Sequence, residues 1–438
     1  MARANTQTGG RDATNAIIPG DRCISVGDPG LPAAPGWSWK RLSSLARLES
    51  GHTPSRRVSE YWGGDVPWLG IKDATGNHGR EIFETNEYTN ALGIANSSAR
   101  ICPAGTVCLS RTASVGYVIK MGRPMATSQD FVNWVCSDEL NPDFLKYALL
   151  SETRALRMFA VGSVHPTIYF PEVKAFHICL PSRDVQDAIA DTLAALDDKI
   201  EVNRRINETL EAQARALFRD WFVDFGPVKA KMAGDAPYLA PDLWSLFPNG
   251  LKDGVPEGWK TGVLSDLLVL QRGFDLPKTK RTDGPYPVIA ASGPSGTHNE
   301  SRVEGPGVCT GRSGVLGGVY YVEGDFWPLN TSLWIKAYPN STPLHAMFTL
   351  QEIDIAAFNA GSAVPTLNRN HIHQAPAAIP PMNVVEAFTS LASVCYAKIS
   401  ANEREGRTLV RVRDLLLPKL MSGEIRVGDV ASEELSAA

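Results

Sequence analysis

The chain has 438 residues, of which 43% are hydrophobic and 21% charged, with a net charge of −4. That length and balance predict two or more folded domains and exclude wholesale disorder. Mild acidity neither announces nor excludes a nucleic-acid partner, because a local basic face binds phosphates on a globally acidic chain.

The seven cysteines are scattered without a Cys-x-x-Cys pair. This argues against a disulfide framework or a zinc site and predicts a cytoplasmic setting. No apolar run approaches about 20 residues, so no membrane partner is expected. Residues 1–34 are rich in Gly, Pro and Ala without a sustained period, which predicts a flexible leader.

From residue 35 the sequence repeats itself. "PGWSWKRLSSLARLESGHTP" from Pro35 has its counterpart in "PEGWKTGVLSDLLVLQRGFDLP" from Pro256. "GTVCLSRTASVGYVI" from Gly105 parallels "PGVCTGRSGVLGGVYYV" from Pro306, with Val107, Cys108, Arg111 and Gly116 returning 201 positions later. β-Branched and aromatic residues around a Gly/Ser turn predict a hairpin in each copy. Gly162, Ser163, Pro166, Thr167 and Pro181 then recur 199 positions on as Gly361, Ser362, Pro365, Thr366 and Pro380. Thr167 and Thr366 are expected to cap or contact backbone there. Two similar mixed α/β modules are predicted, at 35–181 and 256–380.

Each module runs into a long helix. Over 182–225 the residues Ile189, Leu193, Leu196, Ile200, Asn203, Asn207, Leu210, Ala214, Leu217 and Trp221 follow steps of four and three, the seam of a coiled coil. Over 381–421 the seam is Phe388, Ala392, Cys395, Ile399, Asn402, Gly406, Leu409, Arg413 and Leu416. The second helix is expected to begin with an Asn383-x-x-Glu386 capping box and to stop before Pro418. Asn203 and Asn402 occupy equivalent positions, and the pattern alone leaves both a buried and a solvent-facing placement open. Each such stripe needs a partner, and the simplest is the other copy packed antiparallel. The fold expected is therefore α+β: two α/β modules joined by two helices in an antiparallel coiled coil, with a linker at 226–255 and a tail at 422–438.

The sequence carries neither Gly-x-Ser-x-Gly nor His-Glu-x-x-His. "GRSGVLGG" from Gly311 lacks the Lys-Ser/Thr of a phosphate-binding loop and reads as a hairpin turn. "NPDF" from Asn141 resembles a methyltransferase tetrapeptide but departs at its third position, and reads as a helix N-cap with Pro142 first in the helix. "PEVK" from Pro171 reads as a turn. His371 and His373 fall on one side of a possible strand without a third ligand, so no metal site is assigned. Loops rich in Arg, Lys, Ser, Asn and Gln remain, suited to base edges and phosphates.

The border motifs carry a resemblance. "GSVHPTIYF…LP" and "GSAVPTLNRNHI…IP", with "LEAQARALFRDWFVDFGPV" from Leu210 and "LLLPKLMSGEIRV" from Leu415, resemble the specificity subunit of type I restriction–modification systems over about 35–430. The resemblance implies two target-recognition domains reading the halves of a bipartite double-stranded DNA site. It also implies two methyltransferase subunits docked on the helices and separate motor/nuclease restriction subunits. S-adenosylmethionine, ATP and Mg would belong to those partners, with no cofactor and no catalysis in this chain. The leader is not part of the shared plan.

The DNA-contact candidates are Lys72, Arg111, Ser114 and Gln129 in the first module and Lys280, Arg281, Arg312 and Asn330 in the second. Phe218, Trp221 and Phe222 are candidates for partner docking or for closing the protein's own core. The rival readings are a self-contained adenine methyltransferase or nuclease, and a two-headed scaffold that binds protein ligands.

Overall fold

The computed structural model describes residues 12–162, 164–361 and 364–429. Ser163 and Ser362, two members of the repeated junction, lie outside the described residues, as do 1–11 of the expected leader. The chain folds as two compact units, one formed by Met1–Val202 with Glu405–Ala438, the other by Asn203–Arg404. Both divisions fall inside the long helices, so each helix contributes to both units.

Unit one is built on a five-stranded sheet in the order Ala46–Ser50, Phe131–Cys136, Val107–Ser110, Val118–Met121 and Glu81–Ile82. Val107–Ser110 is buried throughout, as a central strand covered on both faces should be. A three-stranded sheet adds Ala126–Thr127, Trp62–Leu69 and Glu87–Thr89. Unit two repeats the plan. Val269–Arg272, Ser332–Ala337, Gly307–Gly311 and Val319–Val322 form its four-stranded sheet, beside Gly293–His298, Tyr286–Ala290 and Trp327–Pro328. Both predicted hairpins are present, with Val107–Ser110 antiparallel to Val118–Met121 and Gly307–Gly311 to Val319–Val322.

The leader expectation is corrected for residues 12–34. Ile18–Pro19 and Ile24–Val26 are strands, and the second pairs antiparallel with Phe176–Leu180. Cys23, Ile24 and Val26 are almost fully buried. The buried Glu152 carboxylate accepts the backbone N–H groups of Asp21 (2.6 Å), Arg22 (2.7 Å), Cys23 (2.7 Å) and Ile24 (3.2 Å). A run as short as "CISV" gives too few residues for a period, and its anchor lies about 130 residues away in sequence.

The first long helix spans Arg183–Phe218, continues as a π-helical turn over Arg219–Val223, and breaks at Phe225, whose φ is 52°. The second spans Met382–Ser422. It departs from expectation at both ends. Asn383 lies inside the helix rather than capping it, and Val384 and Val385 donate to the Pro381 carbonyl. The helix also passes through Pro418. The proline deprives one carbonyl near the helix end, at solvent-exposed Asp414, while Leu420 and Met421 beyond it are fully buried and hold the last turn.

One 18-residue stretch of this helix has a mean hydropathy of 1.2, so by length and composition it is apolar enough to cross a membrane. Its Val384, Val385, Phe388 and Ala392 lie in the core of unit two.

The stripes point inward within each unit. In unit one Ile189 and Leu193 share a core with Leu416, Leu420 and Met421. In unit two Ala214 and Phe218 share one with Phe388 and Ala392. Asn203 and Asn402 are only 3% and 2% exposed, which settles the open alternative in favour of burial. Asn402 Nδ2 donates to Asn207 Oδ1 at 2.8 Å in unit two, and Arg413 Nη1 to Asp197 Oδ1 at 2.8 Å in unit one.

Candidate nucleic-acid interface

The repeated junction is a strap for the hairpin tip. In unit one Ala113 N–H donates to the Pro166 carbonyl (2.9 Å) and Ile168 N–H to the Arg111 carbonyl (2.9 Å), with Thr112 bridged to Thr167. In unit two Gly314 donates to Pro365 (2.9 Å) and Leu367 to Arg312 (2.8 Å), with Ser313 bridged to Thr366. The Thr167 and Thr366 hydroxyls donate to the carbonyls two residues back, at 3.2 and 3.0 Å, fixing the bend. At the tips Gly116 and Gly317 hold φ of 98° and 91°, a region side chains avoid. Ser114 is an internal member of its tip, its carbonyl accepting the Ser110 hydroxyl.

The residue at the base of each tip then reaches a second loop. Arg111 N–H donates to Asp130 O (2.7 Å), and Arg111 Nη2 donates to Gln129 O (3.1 Å). Arg312 N–H donates to Thr331 O (2.9 Å), and Arg312 Nη1 donates to Asn330 O (2.9 Å). Each loop is tied on its far side to the small sheet, through Ser128 N–H to Leu69 O (3.0 Å) and Leu329 N–H to Ile289 O (2.8 Å). The Gln129 side chain is exposed and its Oε1 accepts from the Thr53 hydroxyl, while Asn330 Nδ2 donates to the Asp275 carboxylate. The Arg111 guanidinium sits 4.6 Å from the Phe170 ring centre. Burial draws its pKa below the usual arginine value, with Asp130 opposing.

The structure therefore brings Arg111, Ser114 and Gln129 together, and likewise Arg312 and Asn330. Lys72 is exposed on the short helix Ile71–Gly76, which starts two residues after Leu69. Lys280 is exposed on the single turn Lys278–Lys280, and Arg281 donates to Ser295 O on the strand Gly293–His298, apart from the Arg312 loop.

Three expectations are corrected. Phe218 (3% exposed) and Trp221 (0%) are enclosed with Phe247, Phe348 and Phe388, so they close the core of unit two and are not a docking face, while half-buried Phe222 packs on Trp259. His371 and His373 fall in the short helix Arg369–Ile372 and its cap, not a strand, and His373 Nε2 accepts from Leu270 N–H at 2.9 Å. "PEVK" lies in the helix Phe170–Lys174, because Pro171 is tolerated in a first turn. Arg111 and Arg312, named for DNA contact, each give one guanidinium hydrogen bond inward, to Gln129 O and Asn330 O.

Sequence reasoning missed Thr53 and Asp275, and also Arg56, which lies 3.9 Å over Trp62 and 4.8 Å over Trp68 and pairs with Glu87. Arg302 lies similarly over Trp327 at 4.9 Å. The Gly51-x-Thr53 and Gly273-x-Asp275 spacing was a usable signal for the first two, whereas Arg302 and Trp327 share no local motif.

Residues 35–212 match the family model described as the type I restriction modification DNA specificity domain. The chain is 27% identical over 430 residues to the type I restriction enzyme MjaIX specificity subunit of Methanocaldococcus jannaschii, covering 90% of this chain and 94% of that protein. It is 26% identical over 388 residues to the HindI specificity subunit of Haemophilus influenzae, covering 69% and 84%. A crystal structure of a type I restriction–modification S subunit from M. genitalium superposes with a TM-score of 0.58 at 18% identity, covering 88% and 96%, and shares the fold. These matches support the reading of the chain as a non-catalytic DNA specificity subunit. Residues 35–212 carry the match to the type I DNA specificity domain, and over most of its length the chain is similar to type I specificity subunits.

Proposed function

We propose that the chain reads a bipartite double-stranded DNA site, one half through recognition domain 35–181 and the other through 256–380. The two long helices act as an antiparallel coiled-coil spacer that fixes the gap between the halves. Two methyltransferase subunits and the motor/nuclease restriction subunits complete the complex in the cytoplasm, and they carry S-adenosylmethionine, ATP and Mg.

The observation that carries this reading is the network built twice: strap, hairpin tip, arginine and amide-bearing loop recur bond for bond in the two units. A repeated site on a chain of this class suits a target with two halves. Exposed Lys72 and Lys280 suit phosphate anchoring. Methyltransferase docking moves from the enclosed aromatics to the outward side of the second helix, where Leu391 and Val394 are 40% and 70% exposed.

The test is co-expression with the methyltransferase subunits. The complex should methylate adenines in a sequence-dependent way, while the isolated chain takes up no S-adenosylmethionine in calorimetry. Cofactor binding by the chain alone would favour the self-contained methyltransferase, and absence of any DNA sequence preference would favour the protein scaffold.

A further inference from the structure

We infer that Gln129 and Asn330 are matched base-reading side chains, each taking the edge of an adenine, and that Arg111 and Arg312 position them rather than touch DNA. This rests on the reading of the chain as a bipartite DNA reader.

The two amides are equivalent by structure and not only by count. Each sits on the loop between the small sheet and the strand that pairs with the hairpin, and each is the residue whose carbonyl the arginine holds. Each follows a residue whose N–H is tied to the small sheet, Ser128 or Leu329. A side-chain amide has two donor hydrogens and two acceptor lone pairs. Gln129 spends one acceptor position on Thr53, and Asn330 one donor hydrogen on Asp275. Both keep a donor and an acceptor on neighbouring atoms, the pair that meets adenine N7 and N6 in the major groove. The local bond also fixes the rotamer, so reading costs less side-chain entropy than a free Gln or Asn would.

The arginines tie the strap to the reading loop. The backbone N–H of Arg111 holds the carbonyl after Gln129, its guanidinium holds that of Gln129, and its own carbonyl is held by Ile168 N–H in the strap. Arg312 makes the same three bonds, to Thr331, Asn330 and Leu367. The residue thus links strap to reading loop, and each guanidinium is half-buried against a neutral carbonyl.

The test is long-read mapping of methylated adenines in host DNA made by the full complex, for wild type, Gln129→Ala, Asn330→Ala, Arg111→Lys and Arg312→Lys. Salt titrations of binding to a duplex that the wild-type complex modifies complete it, using Arg111→Ala and Lys72→Ala. Gln129→Ala should relax one base pair in one half-site, with about a 10- to 100-fold loss of discrimination there. Asn330→Ala should do the same in the other half. Arg111→Lys keeps the charge but loses the planar fork, and should relax the same base pair as Gln129→Ala.

Arg111→Ala should leave the slope of log affinity against log salt unchanged, whereas Lys72→Ala should lower it by about one. Unchanged base preference with uniformly weaker binding in Gln129→Ala and Asn330→Ala overturns the inference. A slope lowered by about one in Arg111→Ala overturns the positioning role. A wild-type complex without sequence preference instead removes the bipartite-reader account on which the inference stands. Thr53→Val, which keeps the shape but not the hydroxyl, should produce a weaker relaxation at the Gln129 position, and no change there also counts against the amide as reader.

Discussion

His345 shows how one residue ties stability to pH. It is 2% exposed among Phe218, Phe222 and Phe388, with Nδ1 at 2.8 Å from the Ser341 hydroxyl. Burial lowers its pKa from 6.5 to about 3. The folded state therefore keeps it neutral where the unfolded chain binds a proton. Its contribution is complete above pH 6.5 and is lost as pH falls toward 3, by up to about 1.4 kcal/mol per pH unit in between. The equivalent position in unit one is Phe144, also fully buried. His345→Phe should flatten the acid limb of thermal melts between pH 6.5 and 4 relative to wild type. An unchanged limb would place the acid sensitivity elsewhere.

The repeated glycines are also decided residue by residue. Gly162 holds φ of 107°, whereas a Cβ on Gly361 would meet the Val364 carbonyl at 2.1 Å. The same letter thus answers two different demands. At Gly116 and Gly317 nothing stands within 4 Å of an added Cβ, so alanine there meets only backbone strain. Each substitution should cost about 1–2 kcal/mol in a denaturant titration.

At the scale of elements, the long helices were legible because thirty or more residues repeat one period, and the hairpins because Gly/Ser turns interrupt β-branched runs. The junction motif was visible as a repeat, but its role was not, since the strap is defined by bonds to a hairpin about fifty residues earlier. The helix runs past Pro418 because burial of Leu420 and Met421 overrides the local rule that ends a helix before proline.

The strands at 18–26 were missed because their support is the distant Glu152. Burial raises the pKa of that carboxyl above the ordinary glutamate value, while the four N–H donors oppose the shift. Glu152→Ala should strand those donors, lower stability by about 3 kcal/mol or more, and speed hydrogen exchange over 21–24. The half-buried amide contact between Asn207 and Asn402 behaves differently. Asn402→Ala alone should cost about 1–3 kcal/mol, while leucine at both positions should restore most of it. A double variant as unstable as the single one would contradict that account.

At the scale of the whole molecule, the two-copy plan was readable from constant offsets, whereas the functional face was only partly so. Composition pointed to the right loops. It could not separate Gln129 and Asn330 from Arg111 and Arg312, whose guanidiniums each hold the carbonyl of that neighbouring amide residue. Aromatic content suggested Phe218, Trp221 and Phe222 for docking, but side chains that size are as useful to a core. Val394→Glu, on the exposed helix side, should weaken methyltransferase association in a pull-down or sizing assay without changing the melt of the chain. Intact assembly would move the docking face elsewhere.

The central claim is that helix length sets the distance between two read half-sites. Its most direct test removes one heptad from each long helix, between Asp197 and Asn207 and between Asn402 and Arg413, and maps the methylated sites of the resulting complex. Seven residues shorten a helix by about 10 Å, a displacement of about two to three base pairs along DNA. The account predicts the same two half-site sequences with a gap shorter by that amount. An unchanged gap, or a change in the half-site sequences themselves, would contradict it.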